Sequence, residues 1–215
     1  MKWSVLDQSP ASAGRLEEAA IRDSLVLARD CDALGYERFW VPEHHNAASI
    51  VGTAPEVLAA AIAAAHFFGD GASVDEALGL YRRNYRPSER YPKPCATICV
   101  WALAAETARE AQRLLTAREH WRVGFEKGLR LPLASPEQAA AYPYTPAEQA
   151  MIDKLRAAAL VGTAGQVADR LHELALRLQL EEIVINTWTF DPEARRHSYA
   201  LLARAFGLHR AAPAP

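Results

Sequence analysis

Trp40-Val41-Pro42-Glu43-His44-His45-Asn46 closes a short apolar segment with a dense polar run, and its reading decides the fold. Arg38-Phe39-Trp40-Val41-Pro42 has the aromatic and β-branched character of a strand. Pro42 stands at its end, where a missing N–H costs least. Upstream, Arg15 to Leu34 predicts a helix: Leu16, Ala20, Leu27, Cys31 and Leu34 recur near a 3.6 period, with Glu18, Arg22 and Arg29 opposite. Gly35 suits a left-handed cap. Trp3 to Leu6 is an apolar run that stops at Asp7-Gln8-Ser9-Pro10. Strand, helix, strand is a βαβ unit, expected to be parallel. In parallel α/β proteins sites form at the strands' carboxyl ends, which makes Asp7, Gln8, Glu43, His44 and His45 neighbours on one rim.

Downstream, Ala54 to Ala65 reads as an almost wholly apolar helix that is buried or covers a subunit interface, and His66-Phe67-Phe68 as a remnant strand. A helix follows from Ala72 to Asn84, with Ser73 and Glu76 in capping-box spacing. Ala96 to Ala104 is the strongest strand, apolar enough for burial on both faces. Glu106 to Phe125 is a long helix. Gly128 to Pro146 holds four prolines and is either a short helical excursion or a functional segment. Thr145 caps a helix through Ala159, Leu160 to Thr163 reads as a turn, and Ala164 to Leu178 as a helix. Glu182 to Thr187 is the last strand and Pro192 to Phe206 the last helix. There is no internal repeat and no linker, so 1–215 is expected to be a single domain.

Composition bounds the function. The chain has 215 residues, 50% hydrophobic and 23% charged, with 24 Lys+Arg against 26 Asp+Glu. Such a balance leaves no basic excess for nucleic acid, although a small anionic cofactor stays possible. No segment has the ~20 apolar residues of a membrane span, and the first residues lack a secretory core, so the expected location is the cytoplasm. Cys31, Cys95 and Cys99 form neither a disulfide framework nor a zinc knuckle.

The residues able to carry chemistry leave alternatives open. Adjacent His44 and His45 at a strand end point in opposite directions, which disfavours joint metal binding. One ring can exchange protons near neutrality, and Glu43 can orient it. A structural histidine at a polar strand end weighs equally. Asp7 is a ligand donor or a turn former, the second being the commoner use of an Asp here. Asn186 and Trp188, at the end of the last strand, are ligand contacts or core. Arg195-Arg196-His197 reads as a solvated helical face.

Taken together, Ser4-Val5-Leu6-Asp7-Gln8-Ser9-Pro10 and Arg38 to Asn46 resemble the luciferase-like, flavin-dependent monooxygenases, nearest to the bacterial alkanal monooxygenase-like proteins. Ala54-Pro55-Glu56-Val57-Leu58, His66-Phe67-Phe68, Tyr81 to Ser88, Val161-Gly162-Thr163, Glu182 to Thr187 and Arg196 to Leu202 fit the same pattern in order. The resemblance implies a (β/α)8 TIM-barrel derivative, FMN or reduced FMN as cofactor, and oxidation of an aldehyde or similar small organic by dioxygen. It implies His44 as the catalytic base, with Asp7, Gln8, Glu43 and His45 lining or supporting the flavin pocket. Asn186 and Trp188 are further cofactor-binding candidates.

The chain departs from that family between Ala65 and His66, where the third to fifth strands, a glycine-rich strand and a Gly-Ser-Ser-type phosphate turn are missing. An incomplete barrel of four to five parallel strands is therefore expected, as an open curved sheet. Its uncovered edges call for a partner, either a homodimer or a heterodimer with a full-length paralogue. Without the phosphate turn, a flavin loses charge-assisted hydrogen bonds worth about 1.5–3 kcal/mol each. A non-catalytic flavin or small-molecule binder and a structural partner of a paralogue are the alternative functions.

Overall fold

The computed structural model describes residues 1–43, 48–51, 71–87, 89 and 92–209, and at 71–74, 76 and 77 the backbone alone. The predicted helix over 54–65, the remnant strand 66–68 and the junction between them lie outside the described residues. So do His44 and His45.

The elements run β1 (Lys2–Leu6), α1 (Glu17–Leu34), β2 (Phe39–Trp40), α2 (Gly71–Asn84), β3 (Thr97–Ala105), α3 (Ala108–Glu126), α4 (Pro136–Ala141), α5 (Pro146–Ala158), β4 (Leu160–Thr163), α6 (Ala164–Leu178), β5 (Glu182–Asn186) and α7 (Pro192–Ala205). The five described strands form one parallel sheet in the order β2-β1-β5-β3-β4. This is the incomplete α/β barrel derivative expected from the sequence. The fifth strand, however, is Leu160–Thr163, where the sequence predicts a turn. Four residues are too few to show a period, and Gly162 lowers strand propensity. The strand exists because β3 supplies it with a ladder, Ala102↔Leu160 to Ala105↔Thr163.

Strand β3 is nine residues long and serves two neighbours in turn. Its first half pairs with β5, from Thr97↔Glu182 to Trp101↔Asn186. Beyond Trp101, β5 has ended and β4 takes over on the opposite edge. On the vacated side, side chains replace the ladder. Thr187 Oγ1 donates to the Ala102 carbonyl at 2.6 Å, and the Ala104 N–H donates to Ser198 Oγ at 2.9 Å. The backbone groups of a buried strand end are thereby satisfied.

Alternation divides the sheet into two faces. One carries Trp3, Val5, Ile98, Ala102, Ala104, Ile183 and Ile185, and it packs against Leu27 and Cys31 of α1, Leu78 of α2, Val167, Leu171 and Leu178 of α6, and Tyr199 and Leu202 of α7. This is the main core. Helix α6 shows why the sequence folds so: Val167, Leu171, Ala175 and Leu178 are all buried on one stripe, and Thr163 and Gln166 close a capping box at its start. The other face, called the inner face below, carries Ser4, Leu6, Cys99, Val184, Asn186 and Trp101. At its amino-terminal end Ser4 and Arg38 both donate to the Glu182 carboxylate. Further along, Trp101, Leu103 and Ala105 pack against Ala111, Leu114 and Leu115 of α3. Helices thus stand on both faces.

The proline-rich stretch contains a short helix, α4, capped by Ser135 and Gln138. A salt bridge from Lys127, just past α3, to Glu148 in the first turn of α5 ties its two ends together. Glu148 also accepts from the Thr145 N–H in a capping box. The Lys127 ammonium, followed by that N–H, holds the Glu148 carboxyl at about 2, below its ordinary 4.5. A depressed carboxyl stabilises the fold above its ordinary value and loses that contribution as pH falls through the folded value.

Two outcomes follow from this architecture. Leu171→Ala empties a fully buried site between α6 and the sheet and should lower unfolding free energy by about 2–5 kcal/mol in urea denaturation. Glu148→Gln should flatten the pH dependence of thermal unfolding between about 4.5 and 2, while leaving other segments of the acid limb unchanged.

Candidate functional site

The ladders bring four residues to one level near the carboxyl ends. Trp40 is in register with Leu6, Leu6 with Asn186, and Asn186 with Trp101. In a parallel sheet register partners face the same way, so these side chains form a row across the inner face. Three of them hold buried polar atoms with no hydrogen-bond partner: Trp40 Nε1, Asn186 Oδ1 and Trp101 Nε1. Buried polar groups are paired in the great majority of cases, so an unpaired row calls for an explanation. Two indole donors flank one amide acceptor, a set suited to a flat molecule with polar groups on its edge.

Gln8 accepts the other half of the Asn186 amide, Nδ2 to Oε1 at 2.6 Å, which fixes Asn186 with its carbonyl oxygen unpaired. Trp188, two residues on and on the same face, is buried and packs edge-to-face on Trp121 of α3 at 4.7 Å. Its Nε1 is also unpaired. Arg118, three residues before Trp121, lies over the Trp101 ring at 4.2 Å. Neither Trp101 nor Arg118 was singled out from sequence. A signal existed: the α3 stripe Ala111, Leu114, Leu115 continues at helical spacing into Arg118, a charge where a core residue is expected.

Asp7 has a different setting. Its side chain turns away from the inner face and forms an ion pair with Arg195 of α7 at 2.8 Å, the two side chains being 1% and 3% exposed. Arg195 is accordingly no solvated residue, contrary to the sequence reading of Arg195-Arg196-His197. A charge pattern on a helix does not reveal a carboxylate 188 positions away that will meet it. Arg196 pairs with Asp30 of α1, and His197 with Glu106 at the surface. Asp7 Oδ2 and Arg195 Nε remain unpaired. The segment after Asp7 is clamped by backbone bonds from Ala11 to Ser49 and Leu133, and by Ser12 Oγ donating to the Phe190 carbonyl. Glu43 is exposed and immediately precedes the undescribed 44–47.

The cysteines take no part in the row's unpaired polar set. Cys99 is buried on the inner face, its thiol pushed up to about 12 by burial, and Cys31 is raised further by burial and then by Asp7. Among the described residues no His/Cys/Asp/Glu group is placed to hold a metal ion, and no helix is long and apolar enough to cross a membrane.

No family model matches the chain. Known proteins do. The uncharacterized protein YceB of Bacillus subtilis is 30% identical over 175 residues, 75% of this chain and 53% of that protein. A luciferase-like monooxygenase of Escherichia coli K12 is 33% identical over 138 residues, 64% of this chain and 41% of that protein. The chain thus spans about half the length of the curated relatives it matches. A second Bacillus subtilis protein, YwcH, aligns at 24% identity over 328 positions that cover 94% of this chain and 98% of that protein. That alignment is longer than this chain's 215 residues, so it steps over a stretch that this chain lacks. The crystal structure of apo-MsnO8 superimposes with a TM-score of 0.81 over 96% of this chain and 98% of that one, at 22% identity, which establishes likeness of fold. On its sequence likeness to the luciferase-like monooxygenase, together with the likeness of fold, the chain belongs to the luciferase-like family.

Proposed function

We propose that the chain binds a flavin, FMN or its reduced form, on the inner face of the sheet and serves a monooxygenase reaction on a small organic molecule. The observation that carries this reading is the row Trp40, Asn186 and Trp101 with its unpaired buried polar atoms. The residues fit the group: an isoalloxazine is flat and bears both acceptors and an N–H on its edge, matching two donors and an acceptor. Trp40 and Trp101 would donate, and Asn186, held by Gln8, would accept. Trp188 on Trp121 closes one side with aromatic surface and keeps water out. When bound and reduced, a flavin supplies electrons for the activation of dioxygen.

In this reading His44, outside the described residues, holds or delivers the proton, with Glu43 and His45 supporting it, and an aldehyde is the substrate type favoured by the family resemblance. Asp7 positions the end of β1 through Arg195 rather than touching the ligand. Self-association belongs to the same reading: a second copy or a paralogue would cover the edges of the described sheet, β2 and β4.

Anaerobic titration with FMN and with reduced FMN tests the assignment. Binding should be weakened about tenfold or more by Asn186→Ala, and His44→Ala should abolish turnover while leaving binding within a few-fold. Absence of binding in either redox state would remove the flavin from this chain. Asp7→Asn should instead cost about 3–5 kcal/mol of stability by leaving Arg195 buried without its partner, read by denaturant unfolding in the absence of flavin. A sizing measurement that gives a monomer would refute self-association.

A further inference from the structure

We propose that Arg118 and Trp101 form an oxyanion subsite, which takes a phosphate or carboxylate borne by a small-molecule ligand of the inner face. Five arginines among the described residues are half-buried or buried: Arg82, Arg118, Arg122, Arg195 and Arg196. Arg82 donates to the Leu178 and Gln179 carbonyls, Arg122 pairs with Glu126, Arg195 with Asp7, and Arg196 with Asp30 and Glu193. Arg118 has no carboxylate or carbonyl partner among the described residues. Its nearest acidic neighbour in sequence, Glu119, is held by both arms of Arg156, at 2.8 and 2.6 Å.

The Trp101 ring takes up only the guanidinium's charge, and among the described residues no carboxylate or carbonyl takes its N–H donors. That planar fork matches the two oxygens of a carboxylate or phosphate. Arg122, one turn on, adds a second positive charge nearby. Burial, then the Arg122 charge, push the Arg118 guanidinium down to about 10, which still leaves it charged at neutral pH. A desolvated guanidinium that no carboxylate hydrogen-bonds among the described residues is a costly arrangement. It costs less once an anion binds, and the unpaired polar atoms of the neighbouring row are hydrogen-bonding partners for the neutral remainder of the same ligand.

The proposal does not need the flavin, because an oxyanion can be tested alone. Inorganic phosphate, benzoate, FMN and riboflavin would be titrated by calorimetry into the full chain and into Arg118→Gln, with the exposed Arg109→Gln as control. Arg118→Gln should weaken at least one of phosphate, benzoate or FMN by about tenfold or more, with riboflavin and the control unchanged. Loss for FMN but not benzoate assigns the oxyanion to the cofactor's phosphate; loss for benzoate assigns it to a substrate carboxylate. Arg118→Lys, which keeps the charge and loses the fork, guards against a folding defect and should retain part of the affinity. The proposal is overturned if the wild-type chain binds none of the three anions, if Arg118→Gln binds all of them within twofold of wild type, or if riboflavin weakens as much as FMN. Failure of FMN and riboflavin alike with benzoate binding intact and Arg118-dependent would sink the flavin reading and leave this one standing.

Discussion

The pairing of the first strand with the last is the constraint on which the structure depends. Lys2–Leu6 lies beside Glu182–Asn186 in unbroken register, and that ladder sets the level of everything above it. It places Asn186 beside Leu6, and through β3 and β2 it aligns Trp101 and Trp40. It also brings the end of β1 under α7, where Asp7 meets Arg195. Were the register slipped by one residue, the inner-face row would turn into the main core and Ile183 and Ile185 would leave it.

Where β5 stops, the structure changes character. The last four residues of β3 overhang it, stitched by β4 on one edge and by Thr187 and Ser198 on the other. The overhang gives α3 an apolar surface to pack on, and α3 in turn carries Arg118 and Trp121 over the inner face. The candidate site therefore arises from a mismatch in strand length. A β3 that ended level with β5 would give α3 no footing there.

Much of the fold was legible because its elements are local. The α1 stripe with Gly35 at its end, the Thr145 cap and the apolar run of β3 each lie within a single stretch of chain. Strand β4 was not, because its only reason to be extended is a partner more than fifty positions earlier. Of the site, Asn186 could be read from its place at a strand end. Trp101 and Arg195 could not: one looked like ordinary strand core and the other like an exposed basic helix face, and both owe their roles to residues distant in sequence. Arg118 sits between these cases, since its placement in an apolar stripe was visible but its lack of a partner was not.

The β1–β5 ladder joins Lys2–Leu6 to Glu182–Asn186, so most of the chain is a single loop held by its two ends. The entropy of closing such a loop varies only with the logarithm of its length, and each doubling costs about 0.6 kcal/mol. Taking a block of strands out of the middle therefore barely alters the cost of bringing the ends together. The terminal strands act as a clasp that does not register how much chain it holds. A lineage can shorten such a protein in its middle and keep the same rim at the clasp, whatever chemistry the shortened rim then serves.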